Sequence, residues 1–191
     1  MKRREAILGF IGTGVGLIGL TIGYKWWELS RSPDLHFLET NVELIDDLAE
    51  TIIPATDSPG AKDARTGDFI VKMVRDCTPR HEQNLFIDGL KDLRNRCMHQ
   101  YHRPYAQCST EEKQSILHEF ERRGQPLQGT AGKVELRLTG RSFFTLLKSY
   151  TVQGYCTSQI GATRGLAYQY VPGSYQGCIP LTPGQRTWAT N

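Results

Sequence analysis

Residues 154–181 read GYCTSQIGATRGLAYQYVPGSYQGCIPL, and the understanding of this stretch decides the fold. It is rich in Gly and Tyr, nearly free of charge, and without helical or strand periodicity. Such a composition usually stays disordered, because it cannot bury enough apolar surface to offset chain entropy. Its tyrosines, Tyr155, Tyr168, Tyr170 and Tyr175, argue the other way, since each ring gains from burial. Gly154, Gly161, Gly173 and Gly177 punctuate the run as tight turns would. The stretch therefore reads as an ordered, irregular wrap over a body that the preceding residues must build.

That body is mostly helical. Pro33 and Asp34 can open a helix over residues 35–53, with Val42, Leu44, Ile45, Leu48, Ala49, Ile52 and Ile53 recurring at helical spacing. Glu43, Asp46, Asp47 and Glu50 take the outward positions, and Pro54 stops the run. Ser58-Pro59-Gly60 marks a loop over residues 57–64. Asp68 can cap a helix through Asp76, with Phe69, Ile70, Met73 and Val74 inward. Thr78-Pro79 breaks it and starts another to about His102, with Leu85, Phe86, Leu90 and Leu93 inward. Ser109 with Glu112 three residues later predicts a capping box, and the helix after it ends at Gly124. A polar connection follows over 125–133. The last long helix is expected over 136–155, burying Phe143, Phe144, Leu146, Leu147 and Tyr150. Strand signals are absent.

Ahead of the body, Lys2, Arg3 and Arg4 precede an uncharged run from Ala6 to Tyr24, which Lys25, Trp26 and Trp27 close. At about 1.5 Å per residue such a helix spans roughly 28 Å, close to a bilayer core. Paired Trp at its end suits a membrane interface. Arg3-Arg4 before an apolar run looks like a twin-arginine export signal, although Ala6 stands where that motif favours Phe. No small-residue cleavage site follows, so residues 1–28 are expected to remain as a single-pass inner-membrane anchor. Residues 29–36 are the linker and 37–191 the domain, which would face the periplasm. Gly12, Gly16, Gly19 and Gly23 share one helical face that permits close packing in lipid, though export signals are also simply glycine-rich.

Composition narrows the function. A net charge of +3 over 191 residues, with no basic patch interleaved with aromatics, speaks against a nucleic-acid partner. No Gly-x-Ser-x-Gly elbow supplies a nucleophile. No Gly-x-Gly-x-x-Gly follows a strand, so FAD is not expected on this chain, and no Cys-x-x-Cys-His attaches a haem. Paired carboxylates at Asp46-Asp47 and Glu111-Glu112 read as solvated helix faces.

The five cysteines are Cys77, Cys97, Cys108, Cys156 and Cys178. In an oxidising compartment bridges are expected, and an odd count leaves one over. Cys77 with Cys178 would pin the wrap to the body, and Cys97 with Cys108 would close the loop around Pro104, leaving Cys156 free. Connectivity stays open. So does a metal set of Cys97, His99, His102 and Cys108, whose ligand types suit zinc but whose spacing matches no standard knuckle.

Two blocks carry a resemblance. The first comprises Gly154-Tyr155, Thr157-Ser158, Ile160-Gly161-Ala162-Thr163, Val171-Pro172-Gly173, Tyr175, Gly177-Cys178 and Pro180-Leu181-Thr182-Pro183-Gly184-Gln185. The second is Glu50-Thr51-Ile52-Ile53-Pro54-Ala55-Thr56-Asp57-Ser58-Pro59-Gly60-Ala61. Together they resemble the gluconate 2-dehydrogenase subunit 3 family, from about Leu44 to Trp188 with a variable middle. The resemblance implies a non-catalytic accessory subunit of a membrane-bound, FAD-dependent sugar or sugar-acid dehydrogenase. It implies an FAD-containing catalytic subunit as partner, whose export and maturation this chain assists, and often a cytochrome c subunit. A free-standing envelope protein with another partner is the second reading. The docking surface is expected at Tyr155, Thr157, Ser158, Gly161, Ala162, Thr163, Tyr170 and Tyr175, with internal packing of the tyrosines as the competing possibility.

Overall fold

The computed structural model describes residues 31–126, 129, 130, 132, 136, 137, 140–171, 173, 174, 177, 178, 180 and 183–188. Arg3, Arg4, the run from Ala6 to Tyr24, and Tyr175 lie outside the described residues. Among those described, no helix is long and apolar enough to cross a membrane. The architecture is mostly helical, without a named strand among the described residues.

Helix α1 spans Leu35–Thr40 and α2 spans Val42–Ile52. Asp34 caps α1 as expected, its Oδ1 accepting from the Phe37 amide at 3.1 Å. The expected single helix over 35–53 is broken at Asn41, whose Nδ2 donates to the Phe37 carbonyl at 2.7 Å. That bond competes with the helical ladder, as Asn side chains do. Since α1 starts at Leu35, the helical body reaches into the residues expected as linker. Helix α3 spans Thr66–Cys77, α4 Arg80–Tyr101 and α5 Thr110–Arg123. The capping box before α5 forms as predicted, with Glu112 N–H donating to Ser109 Oγ and Ser109 N–H to Glu112 Oε2 at 2.7 Å.

Helix α6, Phe143–Thr157, is the element on which the others pack. It starts at Ser142, whose Oγ accepts from Thr145 N–H, and not at residue 136. Gly140 explains the difference: at φ 79° it takes the left-handed conformation that a helix interior excludes. The buried positions are Phe143, Leu146, Leu147, Tyr150, Thr151, Gly154 and Tyr155, an unbroken 3–4 spacing. Phe143 meets Phe86 and Phe120 at ring-centroid distances of 5.2 and 5.6 Å, in tilted and edge-on contacts. Gly154 lets α3 come close, since a Cβ there would stand 2.7 Å from Phe69 Cδ1.

A polar network locks the approach to α6. Glu82 is 7% exposed and accepts from the Arg141 amide at 2.8 Å and from its guanidinium Nη2 at 2.9 Å. Burial alone would raise this carboxyl, but the Arg141 hydrogen bonds outweigh it and hold Glu82 below the usual carboxylate range. Arg141 Nη2 also reaches the Tyr150 hydroxyl at 3.3 Å, which shares a 2.9 Å bond with Thr78 Oγ1.

Candidate functional site

The loop after α2 is built by acidic residues that the helical pattern places outward. Glu50 Oε1 accepts from Ala55 N–H and its Oε2 from Lys62 N–H, both at 2.8 Å, so one carboxylate spans the loop. A Cβ on Gly60 would stand 2.4 Å from either Glu50 oxygen, so only glycine admits this carboxylate. Asp47 pairs with Lys62 at 2.9 Å. Asp46 Oδ1 accepts from Gly67 N–H at 2.8 Å at the start of α3. Burial raises the Asp46 carboxyl above its usual range, against the pull of that amide. These three carboxylates are not merely a solvated face, and neighbouring residues alone could not have told this.

The end of α6 meets that loop. Tyr155 is 6% exposed and its hydroxyl donates to the Pro59 carbonyl at 2.7 Å. Ser158 Oγ donates to the Tyr155 carbonyl at 2.8 Å and accepts from Gly161 N–H at 2.9 Å. The chain then turns through a π-helical segment, Gly161–Gly165. At Gly161 a Cβ would lie 2.0 Å from the Tyr155 carbonyl oxygen, so the turn requires glycine. Beyond it, Leu166 N–H closes onto Gly161 O at 2.9 Å and Ala167 N–H onto Thr187 O at 2.8 Å, beside a bridge from Ala167 to Trp188. Arg186 donates to the Arg164 carbonyl.

This geometry divides the residues expected at a docking surface. Tyr155 and Gly161 are buried and Ser158 is committed to its two hydrogen bonds, so all three hold the turn together. Thr157 and Thr163 are exposed, with hydroxyls donating to the carbonyls of Gln153 and Gln159 at 2.7 Å, and Ala162 is half-buried. Tyr170 is 84% exposed, and Tyr168, Val171 and Trp188 are also exposed. The turn and the loop enclose an open recess of about 590 Å³ lined by residues 55–59, Asp63, Thr163, Arg164 and Arg186. Sequence reasoning missed Arg164, Arg186 and Trp188. The available signal was Arg164 itself, the lone charge within an otherwise uncharged stretch. Exposed aromatics beside arginines are the residue types that interface centres favour.

The cysteines form no disulfide among the described residues. Cys77 and Cys178 are exposed, whereas Cys97 and Cys108 are buried. The zinc alternative loses its geometry: His99 and His102 are exposed, and no described group of three or more such side chains could hold a metal. His102 instead ends α4 at φ 55°.

No curated protein matches the chain, and no solved structure matches it. The model of the family described as Gluconate 2-dehydrogenase subunit 3 matches residues 39–173, which takes in the loop after α2, all of α6 and the π-helical turn. The chain belongs to the gluconate 2-dehydrogenase subunit 3 family.

Proposed function

We propose that this chain is the non-catalytic small subunit of a membrane-associated, FAD-dependent sugar or sugar-acid dehydrogenase. It docks on the flavin-bearing catalytic subunit and assists that subunit's export, maturation and stability. One observation carries the reading: the two blocks of family resemblance meet, through Tyr155 and Pro59, and leave an exposed aromatic and arginine face beside the joint. Exposed aromatics gathered beside arginines are the residue types that interaction sites favour. Tyr168, Tyr170 and Trp188 are the anchors, with Thr163, Arg164 and Arg186 at their side. FAD resides on the partner, and a cytochrome c subunit completes the complex. Arg3 and Arg4 direct export, and residues 1–28 tether the body on the periplasmic side of the inner membrane.

The test is to extract the tagged full-length chain from membranes of its native host in mild detergent. A co-purifying protein with flavin absorbance is expected, and its loss is expected for Arg164→Glu with Tyr170→Ala. A clean chain with no flavoprotein partner overturns the reading. Replacing Arg3 and Arg4 with Lys tests the export route separately, since unchanged periplasmic delivery would exclude the twin-arginine pathway.

A further inference from the structure

We infer that the recess between the loop after α2 and the turn after α6 is a socket of both charge signs, and that its occupant is a protruding segment of the flavin-bearing partner carrying an acidic and a basic side chain together. This deepens the docking reading above and rests on it. Asp57 and Asp63 line the recess from the loop, Arg164 from the turn and Arg186 from the segment that returns beside it. All four are exposed. Two acids and two bases thus border one space, yet among the described residues none of the four joins an ion pair. Elsewhere charges from separate elements do pair, Arg31 with Asp88 at 2.6 Å, Lys91 with Asp34 at 3.0 Å and Arg123 with Asp92 at 3.0 Å.

Both sides of the recess are held by bonds of their own. On the loop, Asp63 Oδ2 accepts from Gly60 N–H at 3.1 Å, Thr56 N–H donates to the Ser58 carbonyl at 3.0 Å, and the Pro59 carbonyl takes the Tyr155 hydroxyl at 2.7 Å. On the turn, Arg186 donates to the Arg164 carbonyl rather than to a carboxylate, and Ala167 N–H closes onto the Thr187 carbonyl at 2.8 Å. The charges are therefore positioned before a partner arrives, which lowers the ordering cost of binding. The arginine forks match a carboxylate, and the two aspartates match an ammonium or guanidinium. A purely acidic segment would meet Asp57 and Asp63 as like charges, and a purely basic one would meet the arginines so. Only an occupant with both signs satisfies the whole lining.

Shape and surroundings choose among such occupants. The recess is open and measures about 590 Å³, and exposed Tyr168, Tyr170 and Trp188 follow the arginines closely in the chain. A small zwitterion would fill the recess and leave those rings bare. Two copies of this chain meeting recess to recess would set one concavity on another and enclose a void, against the close packing of interface centres. A protruding segment of a larger partner fills the recess and covers the rings at once.

The experiment measures equilibrium binding of the detergent-solubilised full-length chain to the isolated flavoprotein, at low and high sodium chloride, beside a denaturant melt of each variant. Arg164→Gln and the double variant Asp57→Asn/Asp63→Asn should each weaken binding about tenfold, with melts close to wild type. Asn at position 63 keeps an acceptor for the Gly60 amide, so the loop is spared. Salt should weaken wild-type binding more than that of either variant. Wild type that retains no flavoprotein overturns the docking reading and this one with it. Wild type that binds while both charge variants bind equally well overturns the socket alone, and the docking reading then stands on Tyr170→Ala. Weakening by the arginine variant only, or by the aspartate variant only, means an occupant of one sign and overturns the socket too. A dimer of the chain in light scattering that the same variants dissolve names a second copy as the occupant, which also overturns it.

Discussion

Helix α6 and the segment that follows it use the same vocabulary of glycine and tyrosine and reach opposite ends. Tyr150 and Tyr155 are 4% and 6% exposed, while Tyr168 and Tyr170 are 48% and 84% exposed. The difference lies in backbone periodicity. Within α6 the tyrosines fall on the face that already carries Phe143, Leu146 and Leu147, and each hydroxyl finds a partner, Thr78 for Tyr150 and the Pro59 carbonyl for Tyr155. After Leu166 no repeat aims the side chains inward, and the described tethers are backbone contacts to Thr187 and Trp188 and one arginine on the Arg164 carbonyl. The same residue type therefore supports the fold in one region and is left exposed in the next.

The sharpest way to break this comparison is Tyr155→Ala, which should cost about 3–5 kcal/mol in denaturant unfolding. It removes a buried ring and empties the space against which Gly165 sits, where a Cβ would meet the Tyr155 hydroxyl oxygen. Tyr155→Phe keeps the ring and should cost about 1 kcal/mol, the worth of the lost bond to Pro59. A melt unchanged by Tyr155→Ala would move this residue to the docking surface after all.

Arg141→Met should follow, at about 3 kcal/mol, because it leaves the buried Glu82 carboxylate without its guanidinium. The figure sits at the low end because the Arg141 side chain is 36% exposed. The pH dependence has a definite sign. Glu82 is held below its ordinary 4.5 in the folded chain, so it contributes stability above that pH. The contribution is lost as acid takes the pH down through the lowered folded value. Unfolding free energy measured from pH 6 downward should fall more steeply in wild type than in Glu82→Gln.

Local signals were legible and distant ones were not. The α5 capping box was readable because Ser109 and Glu112 lie within one turn, and the α6 face because its apolar positions repeat. The break at Asn41 was hidden, since the apolar pattern runs through it and only a side-chain bond to Phe37 betrays it. The extra length given to α6 came from reading 136–140 as continuous, where Gly140 required a turn. Around the loop after α2 and the turn after α6 the hidden part is larger. Glu50 binds amides five and twelve residues away, and Tyr155 reaches Pro59 across the whole body. No window of sequence separates that tyrosine from Tyr170. The resemblance names the two blocks, but which of their residues face inward depends on those blocks touching.

A smaller effect is expected at the caps. Ser109→Ala should cost about 1 kcal/mol, since it unpairs the Glu112 amide and one side of the capping box. A loss near zero by chemical denaturation would mean that α5 is fixed by Ile116, Leu117 and Phe120 alone.

The smallest stability effect should come from Tyr170→Ala, and it is the one that tests the exposed side of the comparison. At 84% exposure the ring covers little of the body, so unfolding should change by no more than about 0.5 kcal/mol. Retention of the flavoprotein should instead weaken by about 2 kcal/mol, or roughly 30-fold in dissociation constant. The pairing of the two measurements matters, because a tyrosine that packs only on its own chain loses stability and binding together. Equilibrium binding of the detergent-solubilised chain to the isolated flavoprotein, read beside a denaturant melt of the same variant, separates them. A variant that is as stable as wild type and binds as tightly would remove Tyr170 from the interface and shift the contact toward the recess at Thr163, Arg164 and Arg186.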